Sequence, residues 1–163
     1  MRVSKHFTAA EMLSDKLLAK IKSKGQNPMR YINPKMIEVN ESVRHLLNVI
    51  VPQHIDGVVS VSLTGNKAGV QTRGKRSEFD KTKGAELSDH KFGNAQDVDV
   101  NYHYADGSKK EADYEELQAL IQAYDIDFFS IGVTMIEDVA YAPTWFHYSI
   151  AWTGLDKLKI IKP

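Results

Sequence analysis

Asp97-Val98-Asp99-Val100-Asn101 alternates strictly between polar and apolar residues, which predicts a short strand with both aspartates on one face. Upstream, Val58-Val59-Ser60-Val61-Ser62-Leu63 is rich in β-branched residues and ends at the turn-forming Thr64-Gly65-Asn66, so it reads as another strand. The span between them, Lys67 to Leu87, contains Gly69, Gly74 and Gly84, many charges and little periodicity. It reads as a long surface loop. Ahead of the strands the period becomes helical. Thr8 and Glu11 have the spacing of a capping box, with Phe7 and Met12 placed as a hydrophobic staple. Met12, Leu13, Leu17, Leu18 and Ile21 continue as one helical stripe that stops before Gly25. After the turn Gln26-Asn27-Pro28, a second helix opens with Asn33 as cap and Pro34 in its first turn. Its apolar positions Ile37, Val43, Leu46, Leu47 and Ile50 keep helical spacing up to Val51-Pro52.

Downstream, Asp113 and Glu116 form another capping pattern ahead of Leu117, Leu120, Ile121 and Tyr124, a third helix. Two final strands are expected, Phe128 to Ile136 and Trp145 to Trp152, joined by a loop containing Pro143. Helices first, then strands with one helix among them, predict an α+β fold. No repeat, low-complexity tract or interior linker interrupts the chain, so residues 1–163 read as one domain. Composition narrows the function classes. Hydrophobic residues make up 42% and charged residues 26%, which is globular and not disordered. The 21 Lys and Arg balance the 21 Asp and Glu, which removes the general electrostatic case for nucleic acid as a partner. No apolar run approaches the roughly 18 residues of a membrane span, and no apolar segment follows the basic N-terminus as in a signal peptide. The expectation is a chain made in the cytoplasm with no membrane partner. Cysteine is absent, so any metal must be held by histidine and carboxylate.

Two of the six histidines stand in unusual company. In Ser88-Asp89-His90-Lys91-Phe92-Gly93-Asn94-Ala95-Gln96-Asp97, a loop histidine precedes a glycine and a small alanine, and Asp97 opens a strand seven residues later. Gly93 lets the backbone turn sharply, and Ala95 lets it pass close to whatever His90 and Asp97 both touch. In Trp145-Phe146-His147-Tyr148-Ser149, alternation puts Trp145, His147 and Ser149 on one face. Two imidazoles and one carboxylate make three ligands, which for Zn²⁺ leave a fourth position for water, the form of a catalytic site. The plainer alternative is a capped loop, an aspartate paired with lysine and a half-buried histidine. His6, His45, His54 and His103 are assigned to that ordinary class.

The pattern Ser-x-His-x-x-Gly-x-Ala-x-Asp-x-Asp from Ser88 to Asp99, followed by Trp145-x-His147-x-Ser149, resembles a family of zinc peptidases. These are the D-Ala-D-Ala carboxypeptidases and phage L-alanyl-D-glutamate endolysins (peptidase family M15), with the hedgehog signalling domain a fold relative. The opening Ser4-Lys5-His6-Phe7-Thr8 with Glu11-Met12 is similar to that of the phage subgroup, and Asn27-Pro28 falls where that subgroup turns. Val61-Ser62-Leu63-Thr64-Gly65 resembles the strand leading to the family's Ser-Gly-Tyr-Arg segment. The resemblance implies a small antiparallel sheet with helices packed against it, and zinc held by His90, Asp97 and His147. It also implies hydrolysis of peptidoglycan stem peptides by a phage or prophage product that reaches the wall through a lysis pore or as a virion part.

The chain departs from the family at two places. The family's basic glutamate lies three or six residues before its last histidine, where this chain has Thr144 and Tyr141. The nearest acids are Asp138 and Glu137, and Glu137 ends the apolar run Val133-Thr134-Met135-Ile136 as the family's glutamate does. Glu137 is therefore the expected base. Its loss as a base would instead leave a catalytically silent zinc domain, a structural or wall-binding virion component among other virion proteins. The Ser-Gly-Tyr-Arg segment reads Thr64-Gly65-Asn66-Lys67 here, and lysine does not reproduce a bidentate arginine. Lys67, Arg73 or Arg76 are the candidate carboxylate-holding residues, against the alternative of a solvated loop. Ser88 matches a family serine near the metal and is expected to help orient substrate.

Overall fold

A computed structural model of the chain describes residues 1–65 and 88–162. The Thr8 cap forms, with the Glu11 carboxylate accepting from the Thr8 N–H at 2.8 Å and from its hydroxyl at 2.7 Å. The helix it opens is short, α1 (Ala9–Met12), because Leu13 is extended at φ −122°. The Ser14 hydroxyl then accepts from the Leu17 N–H at 3.4 Å and starts α2 (Asp15–Ser23). The single helix expected from the stripe is thus two. The stripe concealed the break because Leu13, Leu17, Leu18 and Ile21 are buried on both sides of it.

A 3₁₀ turn (Pro28–Tyr31) leads to α3 (Pro34–His54), where the Asn33 side chain accepts from the Lys35 N–H at 3.0 Å. With 21 residues α3 is about 30 Å long. It buries Met36, Val39, Val43, Leu47 and Ile50, while Leu46 is half-buried against the core.

Six strands form one sheet: β1 (Val58–Thr64), β2 (Ala95–Tyr104), β3 (Lys109–Glu111), β4 (Met135–Glu137), β5 (Phe146–Ser149) and β6 (Lys159–Ile161). Their order is β1-β2-β5-β4-β6, with β3 also on β2. Helix α4 (Asp89–Phe92) precedes β2, and α5 (Tyr114–Ala123) and α6 (Asp125–Ser130) lie between β3 and β4. The α+β class therefore holds. The expected antiparallel sheet is corrected to a mixed one, because β4 and β6 pair in parallel. The chain reverses after β5, so β6 runs antiparallel to β5; placed beyond β4, it must run with β4.

Alternation along β2 separates two chemistries. Gln96, Val98, Val100 and Tyr102 share the core face with Val61 and Leu63 of β1 and Phe146 and Tyr148 of β5. Asp97, Asp99 and Asn101 take the opposite face. Below the sheet, buried Asn40 of α3 accepts from the Tyr148 hydroxyl at 2.7 Å and donates to Met12 Sδ at 2.9 Å. Asn48 pairs with both the N–H and the carbonyl of Val61, each at 2.8 Å, and so covers part of edge strand β1. At the end of β1 the backbone passes so close to α1 that a Cβ on Gly65 would clash with the Glu11 carbonyl.

The strand expected from Phe128 to Ile136 begins as the last three residues of a helix and becomes strand only at Met135. Asp125–Ser130 coils as α6, Phe128 is buried while Ile126 is 78% exposed, and Gly132 at φ +102° turns the chain into β4. The apolar run Phe128-Phe129 lacks the alternation of a half-buried strand, which is why its β reading failed. The final strand is also shorter than expected. Only Phe146–Ser149 joins the ladder, and Trp152 is 91% exposed. The loop expected from Lys67 to Leu87 lies outside the described residues.

Candidate metal centre

Three elements bring His90, Asp97 and His147 together. Asp97 and His147 face each other directly across the antiparallel β2–β5 pair. His90 comes from α4, a single turn ended by Gly93 at φ +73°, a left-handed conformation that suits glycine. The reading of His90 as a loop residue is thus refined to a one-turn helix whose end reverses the chain into β2.

One potential ligand atom from each residue lies within 4.8 Å of the other two, and His90 and Asp97 are buried. His90 Nε2 is 3.4 Å and His147 Nδ1 2.7 Å from Asp97 Oδ1. The two imidazoles meet edge to face with centroids 5.0 Å apart. Atoms bound to one ion at about 2.0–2.2 Å in a tetrahedral array lie roughly 3.3–3.6 Å apart. The His90–Asp97 separation of 3.4 Å already has that value. The His147–Asp97 distance is that of a hydrogen bond, so binding an ion requires Nδ1 to release its proton and the pair to open slightly. The residues present therefore fit a metal ion. Among the described residues His90 Nδ1 is buried without a hydrogen-bond partner, while the Nε2 side of the ring faces Asp97.

The electrostatics follow from burial and proximity. Burial pushes the Asp97 carboxyl up, but the charges and hydrogen bonds of His90 and His147 outweigh it and hold Asp97 well below the usual carboxylate range. For His147, burial favours the neutral ring, yet the Asp97 hydrogen bond and charge prevail and raise its pKa. Asp97 is thus an anion held in a buried site by imidazoles.

Glu137 arrives from the neighbouring strand. The β4–β5 register pairs Met135 with Ser149 and Ile136 with Tyr148, and the next step sets Glu137 beside His147. Its Oε2 lies 3.9 Å from His147 Nδ1, and burial raises its pKa above the ordinary glutamate value. The ten-residue separation from His147 is absorbed by a loop that folds back on itself. Tyr141 and Ala142 donate their N–H groups to the Asp138 carbonyl at 2.8 and 3.2 Å. Tyr141 and Thr144 are both exposed. Asp138 is spent elsewhere, its carboxylate accepting from the Ala140 N–H at 3.0 Å and lying 3.8 Å from Lys162 Nζ.

Ser88 stands at the cap position of α4, two residues from His90, and its hydroxyl makes no capping bond. Lys67, Arg73 and Arg76 lie outside the described residues. The remaining histidines with partners use them away from the centre: His6 with Glu41, His54 with the Tyr124 hydroxyl at 2.7 Å, and His103 with the Ser62 hydroxyl at 2.8 Å. Sequence reasoning missed the bond from the Ser149 hydroxyl to Asp89 Oδ2 at 2.8 Å. Its signal was the placement of Ser149 on the His147 face. Among the described residues no helix is long and apolar enough to cross a membrane. Comparisons with protein-family models, curated proteins and solved structures found no match to this chain.

Proposed function

We propose that this chain is a zinc-dependent peptidase that hydrolyses the stem peptides of peptidoglycan. The observation that carries the hydrolase reading is the Glu137 carboxylate, 3.9 Å from His147 Nδ1 beside the His90, Asp97 and His147 set. Two imidazoles and a carboxylate leave a position for water, and a second, non-ligating carboxylate next to that position is what amide hydrolysis needs. The resemblance of Ser88 to Asp99 and of Trp145 to Ser149 to the stem-peptide zinc peptidases supports the metal and the substrate class. On this reading the protein acts on the bacterial wall, released through a lysis pore or carried on a virion.

Zinc, when bound, supplies the Lewis acid that polarises the scissile carbonyl and makes water more acidic. Asp97 contributes the negative charge that offsets the ion, and the two imidazoles bind as neutral rings. Glu137 takes a proton from the attacking water as the oxygen–carbon bond forms. It passes that proton to the nitrogen as the carbon–nitrogen bond breaks, so the amine leaves neutral. Its half-buried position raises its affinity for that proton without removing it from reach of solvent. Ser88, at the mouth of α4, is the residue we assign to orienting the peptide.

The test uses zinc-loaded protein and purified peptidoglycan, with newly released amino groups as readout. Glu137→Gln is expected to keep its zinc and its fold yet lose cleavage by ~10²-fold or more. Chelation of the wild type should abolish cleavage, and added zinc should restore it. A fully zinc-loaded wild type that releases no amine from any stem peptide would favour the silent wall-binding component instead.

A further inference from the structure

Helix α4 is four residues long, and a single turn does not sustain itself, because nucleation fixes several residues for very few hydrogen bonds. Yet it carries His90, whose ring must keep a set distance from two residues on the sheet. The chain around α4 is held from outside. The Ser149 hydroxyl donates to Asp89 Oδ2 at 2.8 Å. The Ile150 N–H donates to the Asn94 carbonyl at 2.8 Å, and the Asn33 side chain donates to Asn94 Oδ1 at 3.0 Å. Two of these three bonds come from the end of β5 and its continuation.

Ser149 suits this task by position. It lies two residues beyond His147 on the same face of β5, and it pairs in register with Ala95. A methyl group at residue 95 leaves space for the hydroxyl to reach across β2 to Asp89. Ser149 is fully buried, and its oxygen also accepts from the Ala151 N–H at 3.0 Å, so its orientation is fixed from both sides. Asp89 directly precedes His90, so a bond to its side chain fixes the start of the turn that aims the imidazole.

We infer that the Ser149–Asp89 hydrogen bond is a clamp that sets His90 against His147, making Asp89 and Ser149 positioning residues for metal binding. The inference rests on the metal-centre reading above. Groups of this kind do not touch the ion, but they hold ligand geometry, and their loss costs typically 10- to 100-fold in metal affinity.

The test is a titration of apo protein with Co²⁺, read by visible absorption, and with Zn²⁺ against a competing chelator. Asp89→Ala is expected to weaken both ions by ~10- to 100-fold and to shift the Co²⁺ band, with the apo unfolding midpoint near that of the wild type. Ser149→Ala should do the same from the donor side. Asp89→Asn, which keeps an acceptor oxygen and loses the charge, should recover most of the affinity. Equal losses in Asp89→Asn and Asp89→Ala would overturn the clamp in favour of a field effect. Unchanged affinity in both alanine variants would overturn it outright, and loss of the apo fold in both would make the bond a folding contact instead. A wild type that binds neither ion would overturn the metal centre itself, which separates that failure from failure of the clamp alone.

Discussion

Two histidine–carboxylate pairs in this molecule have nearly the same length and different surroundings. His6 Nδ1 lies 2.6 Å from Glu41 Oε2, and His147 Nδ1 lies 2.7 Å from Asp97 Oδ1. The first pair joins the N-terminal segment to α3. Glu41 completes it by accepting from the His6 N–H at 3.0 Å, and the two side chains are 27% and 28% exposed. The second pair is 11% and 10% exposed, with a second imidazole at 3.4 Å from Asp97 and a second carboxylate at 3.9 Å from His147. One histidine bound to one carboxylate is a tether. Convergence of several such groups with water removed is what makes a site able to do chemistry.

The largest expected effect that sharpens this contrast is on metal content. His147→Ala should reduce bound zinc to background by elemental analysis of the dialysed protein, whereas His6→Ala should retain the wild-type content. Equal loss in both variants would break the comparison. A smaller effect is expected beneath the site. Asn40→Ala removes the acceptor of the Tyr148 hydroxyl on the core face of β5, one residue from His147. Leaving that buried hydroxyl unpaired should lower unfolding free energy by ~1–3 kcal/mol in urea titration, with zinc still bound.

The smallest effect concerns the tether and acid. Burial pushes Glu41 up, but hydrogen bonds from Ser4 and His6 outweigh it and hold its pKa below the ordinary 4.5. A lowered folded value means that its stabilisation is present above about pH 4.5 and is lost as pH falls through the folded pKa. Glu41→Gln should therefore flatten the acid side of the stability profile, by no more than ~1 kcal/mol because a part-exposed pair is screened. No change in that limb would show that the pair contributes nothing on folding.

Much of the fold was legible because its signals are local. Asn33 with Pro34 and Asp113 before Glu116 marked true helix starts, since a side chain two or three residues from an unpaired N–H can reach it without help from the rest of the chain. The alternation from Asp97 to Asn101 marked the central strand, which extends over Ala95–Tyr104. The errors share another origin. Phe128-Phe129 is apolar enough for a strand or a buried helix, and its surroundings chose the helix. Strands β3 and β6 are three residues each, too short for any period to register.

At the candidate site the same division holds. Residue types and spacing, together with the family resemblance they carry, pointed to His90, Asp97 and His147 as the group to watch and to Glu137 as the carboxylate that ends an apolar run. Only the tertiary structure decided that Glu137 stands beside His147 and that Asp138 turns away. That choice depends on the β4–β5 register and on how eight loop residues between the strands fold, which are properties of paired backbones and not of a linear count. The Ser149–Asp89 bond was equally invisible along the chain. Sixty residues separate its partners, and only the closing of β5 onto β2 makes them neighbours.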